Sequence, residues 1–231
     1  MPISNKHKIL FVHVPKCAGT TVEQMLDMSG IHNLFSTSYS PDRIQKQFSF
    51  ENFSQEEKEV CLLKNMQHYS YIELKKLLPQ KIFDSYYKFS IVRNPYDRIV
   101  SEFLYAKNCG RKLKKNYFYN FSTFKEFVST QLTIPIKQRI EKYDAHLETQ
   151  KSFLINEQGD LSGLDKIYKM ETELDDCLKF LNFKIGVDLK IHARKNYYDR
   201  SIADFYDGEI QELVYNFYKE DFNLFGYGAN L

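Results

Sequence analysis

The run Ile9-Leu10-Phe11-Val12-His13-Val14 is stopped by Pro15, and Gly19 and a helical pattern follow within a few residues. A segment apolar on both faces fits a strand buried in a parallel sheet, which carries covering layers on either side. From Thr20 to about Met28, Val22, Met25 and Leu26 fall on one helical face, and Thr20 and Glu23 have the spacing of a capping box. Strand, tight loop and helix in this order make the first half of a βαβ unit. The chain is therefore expected to be α/β, a three-layer sandwich with a central parallel sheet flanked by helices. Glycine is scarce, 9 in 231 residues, and one of them stands at this junction.

The same signals continue downstream. Val60-Cys61-Leu62-Leu63 reads as a short buried strand. Ser70 and Glu73 form a second capping-box pattern, opening a helix with Ile72, Leu74, Leu77 and Leu78 that ends at Pro79. Tyr86 to Val92 reads as a strand ending in Arg93. Asn94 then suits a cap and Pro95 the first helical position, with Ile99, Val100, Phe103 and Leu104 on the core face of a helix to about Lys107. Residues 107–121, basic and then aromatic, read as a surface loop. Short helices are expected at Phe124 to Val128 and Gln150 to Ile155, a strand at Lys166 to Met170, and a helix at Glu171 to Leu181. One or two helices over Asp199 to Tyr218 close on Phe222 to Tyr227. Residues 33–58 carry no clear pattern. No repeat or linker divides the chain, so residues 1–231 are expected to form one domain.

Composition removes several functions. Lys+Arg 32 against Asp+Glu 30 leaves a formal charge of +2, which argues against a duplex-DNA binder, and no nucleic-acid partner is expected. Cys17, Cys61, Cys109 and Cys177 lie far apart, with no C-x-x-C and no Cys/His spacing suited to zinc. Free thiols in a reducing compartment and no metal site are the expectation. The stretch from Met1 to Lys8 is short and polar, and the apolar run after it is too brief for a signal-peptide core or a membrane span. A soluble chain follows, unless it is a catalytic fragment of an anchored protein.

Two segments carry chemistry. In Pro15-Lys16-Cys17-Ala18-Gly19-Thr20-Thr21 a glycine between strand and helix lets backbone N–H groups converge on an anion, and the helix N-terminus adds about half a positive charge. Lys16 can reach the same anion, and the threonines add hydroxyls. This phosphate-type cradle is not a Walker loop, because G-x-x-x-x-G-K-[ST] is absent. Cys17 stands where a magnesium-binding hydroxyl would follow the lysine, which argues against a metal–nucleotide. The competing reading is a surface turn with an exposed lysine. In the second segment, Arg93 ends a strand and Ser101 lies two turns into the next helix, where Arg98, Ser101 and Tyr105 share one side. A guanidinium fork and a hydroxyl at a strand–helix junction suit a second phosphate. Its competing reading is an Arg–Asp surface pair with a solvated serine.

Taken together, FVHVPKCAGTT (residues 11–21) and FSIVRNPYDRIVSEFLY (residues 89–105) resemble the two nucleotide-binding motifs of sulfotransferases, in particular the carbohydrate O-sulfotransferases related to heparan sulfate 6-O- and 2-O-sulfotransferases. DAHLETQKSFL (144–154), KMETELDD (169–176) and DFNLFGY (221–227) are similar to weaker downstream elements of the same family. Cys17 and Ala18 depart from the commoner Thr-Gly, but contacts in such a cradle are largely backbone. The resemblance implies a P-loop-like fold and 3′-phosphoadenosine 5′-phosphosulfate (PAPS) as co-substrate. By it, Lys16 neutralises the bridging oxygen as the sulfuryl group leaves, and the loop from Lys16 through Cys17, Ala18, Gly19, Thr20 and Thr21 holds the 5′-phosphosulfate. Arg93 and Ser101 grip the 3′-phosphate. Transfer is implied to be in-line, without metal or covalent intermediate. A cytoplasmic bacterial enzyme is expected, with a Golgi-lumenal location the alternative for a fragment of an anchored protein.

Transfer to a hydroxyl wants a base, and histidine suits neutral pH. Of the 6 histidines, His68 stands just before the Ser70 cap, at the carboxyl edge of the sheet where open α/β sheets bind ligands. MQHYSYIEL (66–74) also looks like the segment that holds the base in the resembling glycan enzymes. His13 reads as a satisfied core residue or one that supports the groups meeting the ligand, His146 as the next candidate base or, rather, a contact to acceptor or donor, and Glu23 as a capping residue that could also serve as base. Lys107, Arg111, Lys112, Lys114 and Lys115, followed by Tyr117, Phe118 and Tyr119, read either as a groove for an anionic glycan or as a solvated loop. Arg194 and Lys195 carry the same ambiguity. The rival functions are a nucleotide-dependent kinase on a P-loop fold and a non-catalytic protein that binds anionic glycans.

Overall fold

The computed structural model describes residues 3–26, 68–113, 121–134, 145–186 and 201–231, with backbone alone for 108–113. In chain order the elements are β1 (Ile3–Ser4), β2 (Ile9–Val12), α1 (Gly19–Met25), α2 (Tyr71–Leu77), α3 (Gln80–Ser85), β3 (Tyr87–Val92), α4 (Pro95–Leu113), α5 (Phe124–Gln131), α6 (Gln150–Leu154), β4 (Lys166–Lys169), α7 (Met170–Ile185), α8 (Gly208–Phe217) and α9 (Lys219–Phe225). Single 3-10 turns stand at Ala145–Leu147 and Ile202–Phe205. The chain divides into two units, Met1–Val92 with Ser152–Ala193, and Arg93–Lys151 with Arg194–Leu231.

The first unit holds the sheet, whose described strands run in the order β1-β2-β3-β4. β2, β3 and β4 are parallel, with Val12 opposite Ser90 and Val92 opposite Lys169. All four residues of β2 are buried, which is why its sequence is apolar without alternation. Phe11, Phe89 and Tyr168 meet across the three strands at centroid distances of 5.0 and 6.1 Å, the second pair edge-on. Ser90, fully buried, donates its hydroxyl to the Val12 carbonyl at 2.7 Å, so this buried hydroxyl is satisfied.

The sheet is mixed rather than wholly parallel. β1 pairs antiparallel with β2, Ile3 opposite Leu10, after a turn in which Lys8 takes φ 54°. A single apolar residue, Ile3, gives no periodic signal, so the N-terminal stretch reads as polar in sequence although it adds an edge strand. The expected strand at 60–63 lies outside the described residues.

The Ser70 capping box forms as expected. The Ser70 hydroxyl accepts from the Glu73 N–H at 3.3 Å and Glu73 accepts from the Ser70 N–H at 2.6 Å. Pro79, expected only to end this helix, also starts α3, its carbonyl accepting from the N–H groups of Ile82 and Phe83. α7 runs from Met170, directly after β4, to Gly186, whose φ of 70° closes it. Cys17 and Cys177 are buried thiols, and burial pushes that of Cys177 up to about 12.

The second unit gathers α4, α5, α8 and α9 around an aromatic core in which Tyr96, Phe127, Tyr218 and Phe222 are buried beside Val100 and Val214. The Tyr206 hydroxyl donates to the Tyr96 carbonyl at 2.8 Å, and the Tyr96 hydroxyl to that of Ala229 at 2.7 Å, which ties the C-terminal residues to α4. Much of the aromatic excess, 17 Tyr and 19 Phe, is thereby explained as core.

α4 corrects one expectation. It continues to Leu113 instead of ending near Lys107, so Arg111 and Lys112 stand on helical backbone rather than in a loop. Lysine and arginine are good helix formers and no proline intervenes, so a charge run is no stop signal. Residues 114–120 lie outside the described residues. Among those described, no helix is long and apolar enough to cross a membrane.

Candidate functional site

The loop after β2 is built on backbone conformation. Lys16 and Ala18 both adopt the left-handed region, at φ 67° and 59°. Each such non-glycine residue costs on the order of 1 kcal/mol, and such strain clusters at ligand sites. Left-handed residues interleaved with ordinary ones turn successive N–H groups toward one side, the arrangement of anion-binding nests. Ala18 is the N-cap of α1, without a side-chain cap, and its carbonyl accepts from the N–H groups of Thr21 at 3.0 Å and Val22 at 3.3 Å. The Thr21 amide is thus engaged in the first turn, and the amides of Gly19 and Thr20 precede it. Lys16 is half-buried and Thr20 exposed, while Cys17 is buried with its thiol donating to the Pro15 carbonyl at 3.5 Å. Cys17 therefore offers the cradle its backbone, not its side chain.

The expected capping box between Thr20 and Glu23 does not form. α1 starts one residue earlier, and the Glu23 carboxylate lies 2.8 Å from Nδ1 of His13, both residues being buried. Gly19 and Glu23 are one turn apart on α1, so both face the imidazole. A Cβ on Gly19 would fall 1.8 Å from Nε2 of His13. The glycine is required here by the closeness of that ring, which occupies the space of a side chain.

His68 completes this cluster. It is buried, its ring meets that of His13 edge-on at 4.4 Å, and its Nδ1 lies 3.0 Å from the His13 carbonyl oxygen. A carbonyl only accepts, so Nδ1 of His68 carries the proton and Nε2 is the basic nitrogen of the neutral ring. His13, read from sequence as a core residue, is buried one position beyond the end of β2.

In the second unit, Arg93 is fixed through its main chain. Its N–H donates to Oε1 of Gln150 at 2.8 Å, and Nε2 of Gln150 donates to its carbonyl at 2.8 Å. Asp221, fully buried, in turn accepts from the N–H groups of Gln150 at 2.7 Å and Lys151 at 2.8 Å, closing the N-terminus of α6. Burial pushes the Asp221 carboxyl above the usual carboxylate range, opposed by the Arg98 charge and these N–H donors. The guanidinium of Arg93 is buried and lies 3.8 Å from Asp97, a loose ion pair and not a solvated surface one.

Arg98 does not share an exposed side with Ser101. It is 2% exposed, donates from Nη2 to the carbonyls of His146 at 2.7 Å and Glu148 at 2.8 Å, and lies over the Tyr218 ring. Nothing in helical spacing alone distinguishes a buried arginine that satisfies carbonyls from one that meets a ligand. Ser101 is half-buried on α4. Nδ1 of His146 lies 2.8 Å from Oε2 of Glu102, whose side chain is 4% exposed against 24% for the imidazole. A carboxylate fixes the N–H on Nδ1 and orients the ring.

Lys16 to Thr21 and His68 thus sit in the first unit, brought together around His13, whereas Arg93, Ser101 and His146 sit in the second. Glu102, Gln150 and Asp221 were not singled out by sequence. Their partners are 44, 57 and 71 residues away, and only the downstream segments 144–154 and 221–227 hinted at two of them. Among the described residues no group of His, Cys, Asp and Glu could hold a metal ion. In comparison with known proteins, the family model described as "Sulfotransferase family" matches residues 1–228, a span that covers both units. No curated protein and no solved structure matches the chain.

Proposed function

The chain belongs to the sulfotransferase family, a family of P-loop-like fold whose members transfer sulfuryl groups, and on that premise we propose that it moves the group from PAPS to a carbohydrate hydroxyl. The observation that carries this reading is the loop from Lys16 to Thr21. Two left-handed residues, a lysine and the start of α1 gather donors at the end of a parallel strand, which fits a phosphosulfate. Lys16 and the loop amides bind and orient that end of the donor, and Lys16 offsets charge developing on the bridging oxygen. Arg93 and Ser101 hold the 3′-phosphate, a group ATP lacks.

When bound, the donor supplies a sulfur centre whose bond to the bridging phosphate oxygen breaks as the acceptor oxygen bonds to it. Nε2 of His68 takes the proton from the acceptor hydroxyl, while Nδ1, held by the His13 carbonyl, keeps the ring in the required tautomer. His146, Arg111 and Lys112 are assigned to an anionic glycan acceptor, and residues 1–231 to one catalytic domain, acting in the cytoplasm.

Incubation with PAPS and a panel of oligosaccharides, read by mass spectrometry, tests the transfer. PAP, the desulfated donor, is expected to raise the melting temperature and ATP with magnesium to leave it unchanged. His68→Ala is expected to lower kcat about 100-fold or more while PAP still binds. Unchanged turnover in that variant removes His68 from the base role, and stabilisation by ATP with magnesium instead of PAP favours a kinase.

A further inference from the structure

The anion loop at residues 16–21 and the base at His68 come from separate segments of the chain. Among the described residues, His13 touches both. The His13 ring takes Glu23 through Nδ1 and fills the space above Gly19. Its main-chain carbonyl holds Nδ1 of His68, and the two rings meet at 4.4 Å. On its other side the ring stacks on Phe11 at 5.2 Å, so it is wedged between the buried face of β2 and the first turn of α1.

We propose that His13, held by Glu23, is a positioning residue that sets the 16–21 loop and His68 at a fixed separation, so that base and sulfuryl group meet. The inference rests on the sulfuryl-transfer reading above and gives His13 a role in it. It also explains the carboxylate. Glu23 meets Nδ1 one turn from the glycine that admits the ring, so α1 clamps the imidazole by a hydrogen bond at one end and by close approach at the other. Loss of the ring leaves the loop amides and Lys16 in the chain but removes the common reference for donor and base.

Donor affinity and turnover should therefore separate. In His13→Ala, kcat is expected to fall about 100-fold, the size of a 1 Å misplacement, while the Kd for PAP by calorimetry rises by no more than about fivefold. His13→Asn keeps an N–H near the position of Nδ1 for Glu23 and is expected to recover about tenfold of the lost kcat. A folded His13→Ala enzyme with kcat within about threefold of the parent overturns the proposal, as does an equal loss of kcat and PAP affinity. Should His13→Ala not fold, His13→Asn decides. A kcat lowered about tenfold with PAP affinity kept supports positioning, and a parental kcat overturns it. A parent protein that neither binds PAP nor transfers sulfate sinks the functional reading instead, and is recognised before any variant is made.

Discussion

The two units fix their polar residues by opposite means. In the first, backbone conformation shapes the loop: Lys16 and Ala18 in the left-handed region, with the ring of His13 packed against Gly19. In the second, side chains hold the backbone: Gln150 brackets the main chain of Arg93, and Asp221 brackets the amides of Gln150 and Lys151. A loop defined by its main chain tolerates side-chain change. A clamp defined by side chains does not, because each buried group it leaves unpaired carries the full desolvation penalty.

The largest effect that tests this contrast is Asp221→Ala. It strips two buried N–H groups of their acceptor and is expected to lower stability by about 3 kcal/mol in urea denaturation. A loss of a few tenths would mean the clamp is incidental. At the loop, Ala18→Gly should go the other way. Glycine relieves the left-handed strain but loosens the unfolded chain, for a net gain of about 0.5 kcal/mol, with PAP binding retained. A destabilised Ala18→Gly protein would show that the methyl group, not the backbone, holds the loop.

The smallest effect lies at the start of α7. The Lys169 N–H at 2.8 Å, then Lys166 at 3.0 Å, hold the Glu173 carboxyl below its ordinary range. A folded-state value below the unfolded one gives stability that is present above the unfolded value and lost as pH falls through the folded one. Glu173→Gln is therefore expected to lower the melting temperature at neutral pH, by the equivalent of about 0.3 kcal/mol, because the carboxylate is partly solvated. The difference should shrink toward zero as the pH is taken below about 4. An unchanging gap across that range would assign the effect to shape and not to charge.

How far the sequence could be read follows from the same contrast. β2, the loop and α1 are contiguous, and the Ser70–Glu73 box is complete within four residues, so local pattern finds them. Tyr87 to Val92 and Lys166 to Lys169 are legible because each carries the β-branched and aromatic residues that favour strands. The box expected at Thr20 and Glu23 failed for a tertiary reason: the buried His13 ring outcompetes a local amide for the carboxylate. The burial of Arg98 is not legible because the carbonyls it satisfies come from residues 146 and 148, and β1 is not because two residues carry no periodicity. The clamp on Arg93 needs three segments at once, and no single window contains it.

The pairing of Ile3 and Ser4 with β2 has a practical consequence. Among the described strands, β2 lies next to nothing else on that side, and its four residues are wholly apolar. Without the first few residues, this strand would present open N–H and C=O groups beside an oily surface, the template from which edge-to-edge aggregation grows. Removing Ile3 and Ser4 is therefore expected to promote aggregation, because among the described strands they cover that side of β2.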